Sequence, residues 1–139
     1  MIADPDRALI AAVMTALATA PSLSALIGAA VYDEPPSPAV PPYLLIGRSE
    51  VTPYGDPPPA GVAGAVAQVL TLTVVSGFGG LEEARAIAAV VRSLLHGAPL
   101  ALDGWRLVNL RVVFMDTYRS ADGHTILGLV RLRAVTEAM

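Results

Sequence analysis

Residues Ala67–Met115 restrict what this chain can fold into more than any other stretch. The segment Ala67-Gln-Val-Leu-Thr-Leu-Thr-Val-Val-Ser76 is rich in β-branched residues. Its two alternating sets are Gln68, Leu70, Leu72 and Val74 on one side and Val69, Thr71, Thr73 and Val75 on the other. Both sets are mostly apolar, which predicts a strand covered on two sides. Gly77-Phe-Gly-Gly80 breaks it, and Leu81–His96 follows as an amphipathic helix with Ala84, Ile87, Ala88, Val91, Leu94 and Leu95 at helical spacing. Glu82 and Glu83 suit the positive end of the helix dipole, and His96 in the last turn reads as a helix-terminal cation. Gly97 is placed to cap the end, and Pro99 stops continuation. Trp105–Met115 then predicts a second long strand. Trp105, Leu107, Asn109, Arg111, Val113 and Met115 alternate with Val108, Leu110, Val112 and Phe114.

The flanking segments complete an α+β pattern. Asp4-Pro5 can cap and open a helix whose stripe is Leu9, Ala12, Val13, Ala16 and Leu17. Pro21 ends it near Ala20. Ser22 can cap a short second helix with Leu23, Leu26 and Ile27 inward and Gly28 as its stop. Val31–Asp33 is a brief extended piece, and Glu34–Pro42, with five prolines in nine residues, is a semi-rigid connector. Tyr43–Glu50 reads as a strand, and Val51–Val66, with four prolines and three glycines, as a long functional or mobile loop. Asp116–His124 is turn-rich around Asp122-Gly123. Thr125–Val135 returns as a strand with Arg131 and Arg133 on one face and Ile126, Val130 and Leu132 on the other. The expected fold is a single α+β domain over residues 1–139: a mostly antiparallel sheet of about four main strands with two to three helices packed on one face.

Composition narrows the function classes. With a net charge of −3 and a sequence pI near 5.2, the chain lacks the basic footprint of a nucleic-acid binder. All nine basic residues are arginine, and there is no cysteine, so disulfides, thiolate nucleophiles and Cys-ligated metals are excluded. Hydrophobic residues make up 54 % of the chain, which predicts apolar surface buried between subunits. Ala8–Tyr32 carries no charge and is long enough to cross a bilayer. It is alanine-rich, however, contains Thr15, Thr19, Ser22 and Ser24, and is interrupted by Pro21, so two helices of a folded domain fit it better. Asp4, Asp6 and a single Arg7 precede it, the reverse of a basic signal-peptide start.

No chemical motif survives inspection. Ser76–Gly80 fits neither dinucleotide nor Walker spacing, has no lysine, and leads into Glu82 and Glu83, which repel phosphate; a strand-to-helix turn accounts for it. Asp116, Asp122 and His124 are close in sequence, but two carboxylates and one imidazole make an incomplete metal or acid–base set. No nucleophile elbow is present. The chain is expected not to be an enzyme and to use no cofactor or metal. In the last two strands Arg111, Arg131 and Arg133 alternate with apolar residues, which fits either a solvated sheet face or an interface or lumen formed between subunits.

In order and spacing these features resemble the tail-completion, or tail-terminator, proteins of long-tailed bacteriophages and gene transfer agents. The correspondence runs through Leu23-Ser-Ala-Leu26-Ile27-Gly28, then Val31-Tyr32, then Pro42-Tyr43-Leu-Leu-Ile46 after the proline run. It continues through the helix Ala84-Arg-Ala-Ile87-Ala88-Ala-Val-Val91-Arg92-Ser-Leu-Leu95-His96-Gly97, and through Arg111, Asp116-Thr-Tyr118 and Gly128–Arg133. The long Pro/Gly segment Val51–Val66 departs from the family pattern. The resemblance implies a virion-type structural protein forming a ring, hexameric in the family, that stops tail-tube growth and joins the tail to the head. The partners it implies are further copies of the chain, the tail-tube protein and the head–tail connector. DNA would pass through the lumen without specific binding, and the particle would assemble in the bacterial cytoplasm. On this reading Arg111, Arg131 and Arg133 lie at subunit contacts and pair with Glu50, Asp103 or Asp116 of the next chain. The alternative is a small monomeric or dimeric α+β module that binds a ligand or peptide without catalysis.

Overall fold

The computed structural model describes residues 4–61, 64–77 and 80–139. The middle of the expected Gly77–Gly80 turn (Phe78, Gly79) and two residues of the Val51–Val66 segment (Val62, Ala63) lie outside the described residues. The elements run α1 (Pro5–Ala18), α2 (Pro21–Ile27), β1 (Val31–Tyr32), β2 (Tyr43–Tyr54), β3 (Ala65–Ser76), α3 (Glu82–Leu95), β4 (Trp105–Arg119) and β5 (Ile126–Ala138). The sheet order is β1-β2-β3-β5-β4, antiparallel throughout except where the two-residue β1 runs parallel to β2. This is the expected α+β class with one short strand added.

Asp4 caps α1 as its sequence implies, its Oδ2 accepting from the N–H groups of Asp6 at 3.1 Å and Arg7 at 3.2 Å. α2 starts two residues earlier than expected. Pro21 is its first helical residue and Ala20 its cap, with no side-chain cap bond, because proline's missing N–H suits that position. Ser22 is therefore inside the helix rather than capping it. Leu26 is 43 % exposed, so the buried face of this seven-residue helix is carried by Leu23 and Ile27 alone. α1 and α2 are bent by 76° to each other, and no single described helix is long and apolar enough to cross a membrane.

All three helices cover one face of the sheet. Leu9, Val13, Leu17, Leu23 and the α3 stripe Ala84, Ile87, Ala88, Val91 and Leu95 join Leu44, Leu70, Leu72, Val74, Val130 and Leu132 in one apolar core. Gly128 lies under α3, where a Cβ would make ordinary contacts at 3.4 Å from Val74 Cβ and 3.6 Å from the Ala84 carbonyl oxygen. Glu83 fixes the start of α3 by accepting from Ser76 Oγ at 2.6 Å. The expectation that β3 is covered on both sides is wrong for this chain. Its Val69, Thr71 and Thr73 are only half-buried, because the helices occupy one face and the other stays open.

Three further boundaries change. Val51–Tyr54 belongs to β2 and Ala65–Val66 to β3, in register as Val51↔Gln68, Thr52↔Ala67, Pro53↔Val66 and Tyr54↔Ala65. Pairing with β3 overrides the local proline signal, and Pro53 is tolerated because β1 pairs only with Leu44 and Leu45, leaving this half of β2 as an edge. β4 extends to Arg119, so Asp116 and Tyr118 are strand residues rather than turn residues. Finally, β4 slips register between Leu107 and Asn109 and again between Val112 and Phe114. Each slip inserts one extra residue, and each resets the alternation. Phe114 consequently shares a face with Arg111, and Met115 shares one with Leu110 and Val112, unlike the uninterrupted alternation expected from the sequence.

Candidate functional site

The open face of the sheet gathers most of the residues singled out by sequence. Partners across adjacent antiparallel strands point to the same side, so register defines rows on this face. One row runs Glu50, Val69, Arg133, Arg111; the next holds Thr71, Arg131 and Phe114; a third holds Leu45, Thr73, Leu129 and Asp116. Arg111, Arg131, Arg133, Glu50 and Asp116 thus lie on one surface. Asp103 does not join them. It precedes β4 and lines a cleft of about 640 Å³ against α1, with Arg7, Ala8, Thr15 and Pro99, on the helical side of the molecule.

The electrostatics of this face are unusual. Arg111 sits directly opposite Arg133, and like charges in that position destabilise a sheet. Among the described residues the ion pairs are Arg48–Glu50, at 3.1 Å, and Arg106–Glu137; neither involves Arg111, Arg131 or Arg133. Two of the three lean on aromatic rings instead. The Arg131 guanidinium is 4.8 Å from the centre of the Phe114 ring, and that of Arg133 is 5.8 Å from the centre of Tyr54. Such contacts favour a cation without neutralising it. Arg131 and Arg133 are half-buried, while Arg111 is exposed. Between these side chains and the end of the sheet lies Asn109, whose Oδ1 is buried with no hydrogen-bond partner. Buried acceptors are nearly always paired.

Asn109 falls on the Arg111 face as the alternation predicts, whereas the sequence does not reveal Tyr54 and Phe114 as members of this face. Tyr54 is hidden among prolines, and Phe114 is displaced by a bulge that no alternation pattern reveals.

The other candidates serve the fold. His96 terminates α3, and its Nδ1 accepts from the Val112 N–H at 3.0 Å while the Gly97 N–H donates to the Leu110 carbonyl at 2.8 Å. These two bonds clamp the end of α3 to the edge of β4. Asp122 is used up in the β4–β5 turn, where its Oδ1 accepts from the Ser120 hydroxyl and from the His124 N–H. Those two bonds, the hydroxyl first, hold its carboxyl below the ordinary carboxylate value. Asp116 is on the strand and outside that turn. Among the described residues no group of three or more His, Cys, Asp or Glu side chains could hold a metal ion.

Comparison with known proteins gives a family match and matches to solved structures. The family model described as tail completion protein gp17 matches residues 11–137. A chain from the virion of a native gene transfer agent particle superposes with a TM-score of 0.87, at 30 % identity, covering 96 % of this chain and 97 % of that one. No curated protein sequence matches.

Proposed function

Because this chain belongs to the tail completion protein gp17 family, we infer that it is a structural component of the tail of a phage or gene transfer agent particle. The observation that carries this reading is the near-complete superposition on a gene transfer agent virion chain, made without large insertions on either side. Residues 1–139 act as one tail-terminator domain. Copies close into a ring, hexameric as in the family resemblance, at the head-proximal end of the tail tube. The ring halts tube growth and presents a surface to the head–tail connector, and DNA crosses its lumen without being held. No catalysis and no cofactor enter this role.

The open sheet face contributes its arginines to the subunit contact. Among the described residues Arg111, Arg131 and Arg133 have no carboxylate partner. Glu50 or Asp116 of a neighbouring copy would supply the missing charge. Asp103, on the helical side, contacts a different surface of the assembly. Arginine suits such a site because its planar fork bonds a carboxylate bidentately. Imaging of isolated tails by cryo-electron microscopy tests the assignment. A closed ring of this chain at the head-proximal end is the expected result; particles that lack the chain would overturn it.

A further inference from the structure

Each outer edge of the sheet leaves one free stretch, equal in length to the other but at the opposite end of the sheet. After its bulge, β2 runs without interruption from Ser49 to Tyr54, six residues paired with β3 on one side only. After its second bulge, β4 runs regularly from Phe114 to Arg119, again six residues paired on one side only. The His96–Gly97 clamp occupies the outer edge of β4 at Leu110 and Val112, so the open part of that edge begins beyond it. Three antiparallel pairings separate β2 from β4, so the two terminal strands run in opposite directions. A second copy set beside the first therefore presents its β2 to β4 in antiparallel sense, and a displacement along the strands brings Ser49–Tyr54, which lies level with the clamped half of β4, opposite Phe114–Arg119.

The apolar surface follows the same two strands. Ten large hydrophobic residues are exposed among those described, and seven are on them: Val108, Val113, Phe114, Met115 and Tyr118 on β4, and Val51 and Tyr54 on β2. Long apolar edges are usually blocked, because unpaired N–H and C=O groups recruit other strands. Here β1 covers one half of the β2 edge and the His96 clamp one half of the β4 edge, while the other halves stay unpaired, Pro53 having no N–H to give.

We propose that the open edge of β4, Phe114–Arg119, pairs through its main chain with the open edge of β2, Ser49–Tyr54, of a second copy of this chain. The sheet then continues from subunit to subunit. This contact is heterologous, so it closes into a ring when the rotation per copy allows, and it adds strands in the way sheet edges capture extended segments. The inference rests on the ring reading above and specifies the route by which the ring is joined.

The absence of cysteine makes the test direct, since each introduced thiol is the only one. Thr117 and Val51 share one side of the sheet and lie outside the arginine face. Thr117→Cys combined in one chain with Val51→Cys, or with Pro53→Cys to cover a two-residue shift in register, is oxidised with a copper–phenanthroline reagent. Native mass spectrometry of the same sample before oxidation reports the oligomer. The expected result is a covalent ladder from the double variants and no cross-linked product from any single variant. A covalent dimer from Thr117→Cys alone would mean that β4 pairs with β4, which overturns the proposal. Intact rings without any cross-link would overturn the edge pairing and leave the ring standing. Monomers throughout, in free protein and in isolated tails, would remove both.

Discussion

Arg111 on β4 lies directly across from Arg133 on β5, and neither has a carboxylate partner within the described chain. A fold that evolved for stability alone gains nothing from this arrangement, since like charges opposite one another oppose sheet formation. It becomes sensible where another chain brings the counter-charge. Arg111→Glu is therefore expected to stabilise the isolated chain by about 0.2–1 kcal/mol, by turning a repulsive cross-strand pair into an attractive one. Arg111→Ala and Arg131→Ala should leave the monomer folded. All three should block ring closure and give overlong or headless tails, since breaking a buried charged pair at an interface costs on the order of 2–5 kcal/mol, against about 1 or less for an exposed pair. Chemical denaturation and electron microscopy of tails read the two effects separately. Normal tails from the alanine variants would return these arginines to a solvated surface.

The buried polar centre of the sheet predicts a stability loss of a different kind. Thr136 Oγ1 donates to Gln68 Oε1 at 2.8 Å, and Gln68 Nε2 donates to the Pro5 carbonyl at 2.9 Å, tying α1 to β3 and β5. Thr136→Val leaves a buried amide oxygen unpaired and should cost about 1–3 kcal/mol in urea unfolding. Combining it with Gln68→Leu should cost less than the sum of the two single changes, because both break one network.

Gly128→Val tests the packing of α3 on the sheet. A branched side chain would meet Val74 and the Ala84 backbone, which rigid packing resists. A loss of roughly 1–3 kcal/mol is expected. The near-ultraviolet spectrum and melting temperature report it, and Gly128→Ala should be milder, since its Cβ makes ordinary contacts.

Hydrogen exchange should divide Val51–Val66, whose composition predicts one long loop. Ala65 and Val66 lie in β3, Val66 between β2 and β5, and should exchange slowly. Gly55–Gly61 makes no regular pairing and is exposed throughout, so it should exchange within the shortest labelling time. Protection across Gly55–Gly61 in tails, but not in the free chain, would assign this tip a contact in the particle.

Asp122 gives a pH signature. Its folded-state carboxyl is held below 3.8 by the Ser120 hydroxyl and the His124 N–H. A depressed carboxylate contributes stability above its ordinary value, and that contribution is lost as pH falls through the lowered folded one. The side-chain carboxyl resonance of Asp122 should therefore titrate below the ordinary range, and Ser120→Ala should raise its midpoint. The group is fully exposed, so the change is confined to the turn.

The amino-acid sequence by itself determined the helices, the central strands and the core. Asp4 with Pro5, the Ala84–Leu95 stripe and the Leu70–Leu72–Val74 alternation are local signals, encoded within a few residues of where they act. It also carried the family resemblance, which is an ordering of such signals along the chain. The face on which the helices pack, and hence the half-open state of Val69, Thr71 and Thr73, was decided by tertiary structure. So were the strand identity of Val51–Tyr54, set by pairing with Gln68, Ala67, Val66 and Ala65, and the two bulges that turn Phe114 toward Arg131. The role of His96 belongs there too, since its acceptor is aimed at an N–H sixteen residues away. In each case the deciding partner is distant in sequence, and the energy of a non-local strand pairing or cross-strand contact leaves no periodic trace in the segment it reshapes.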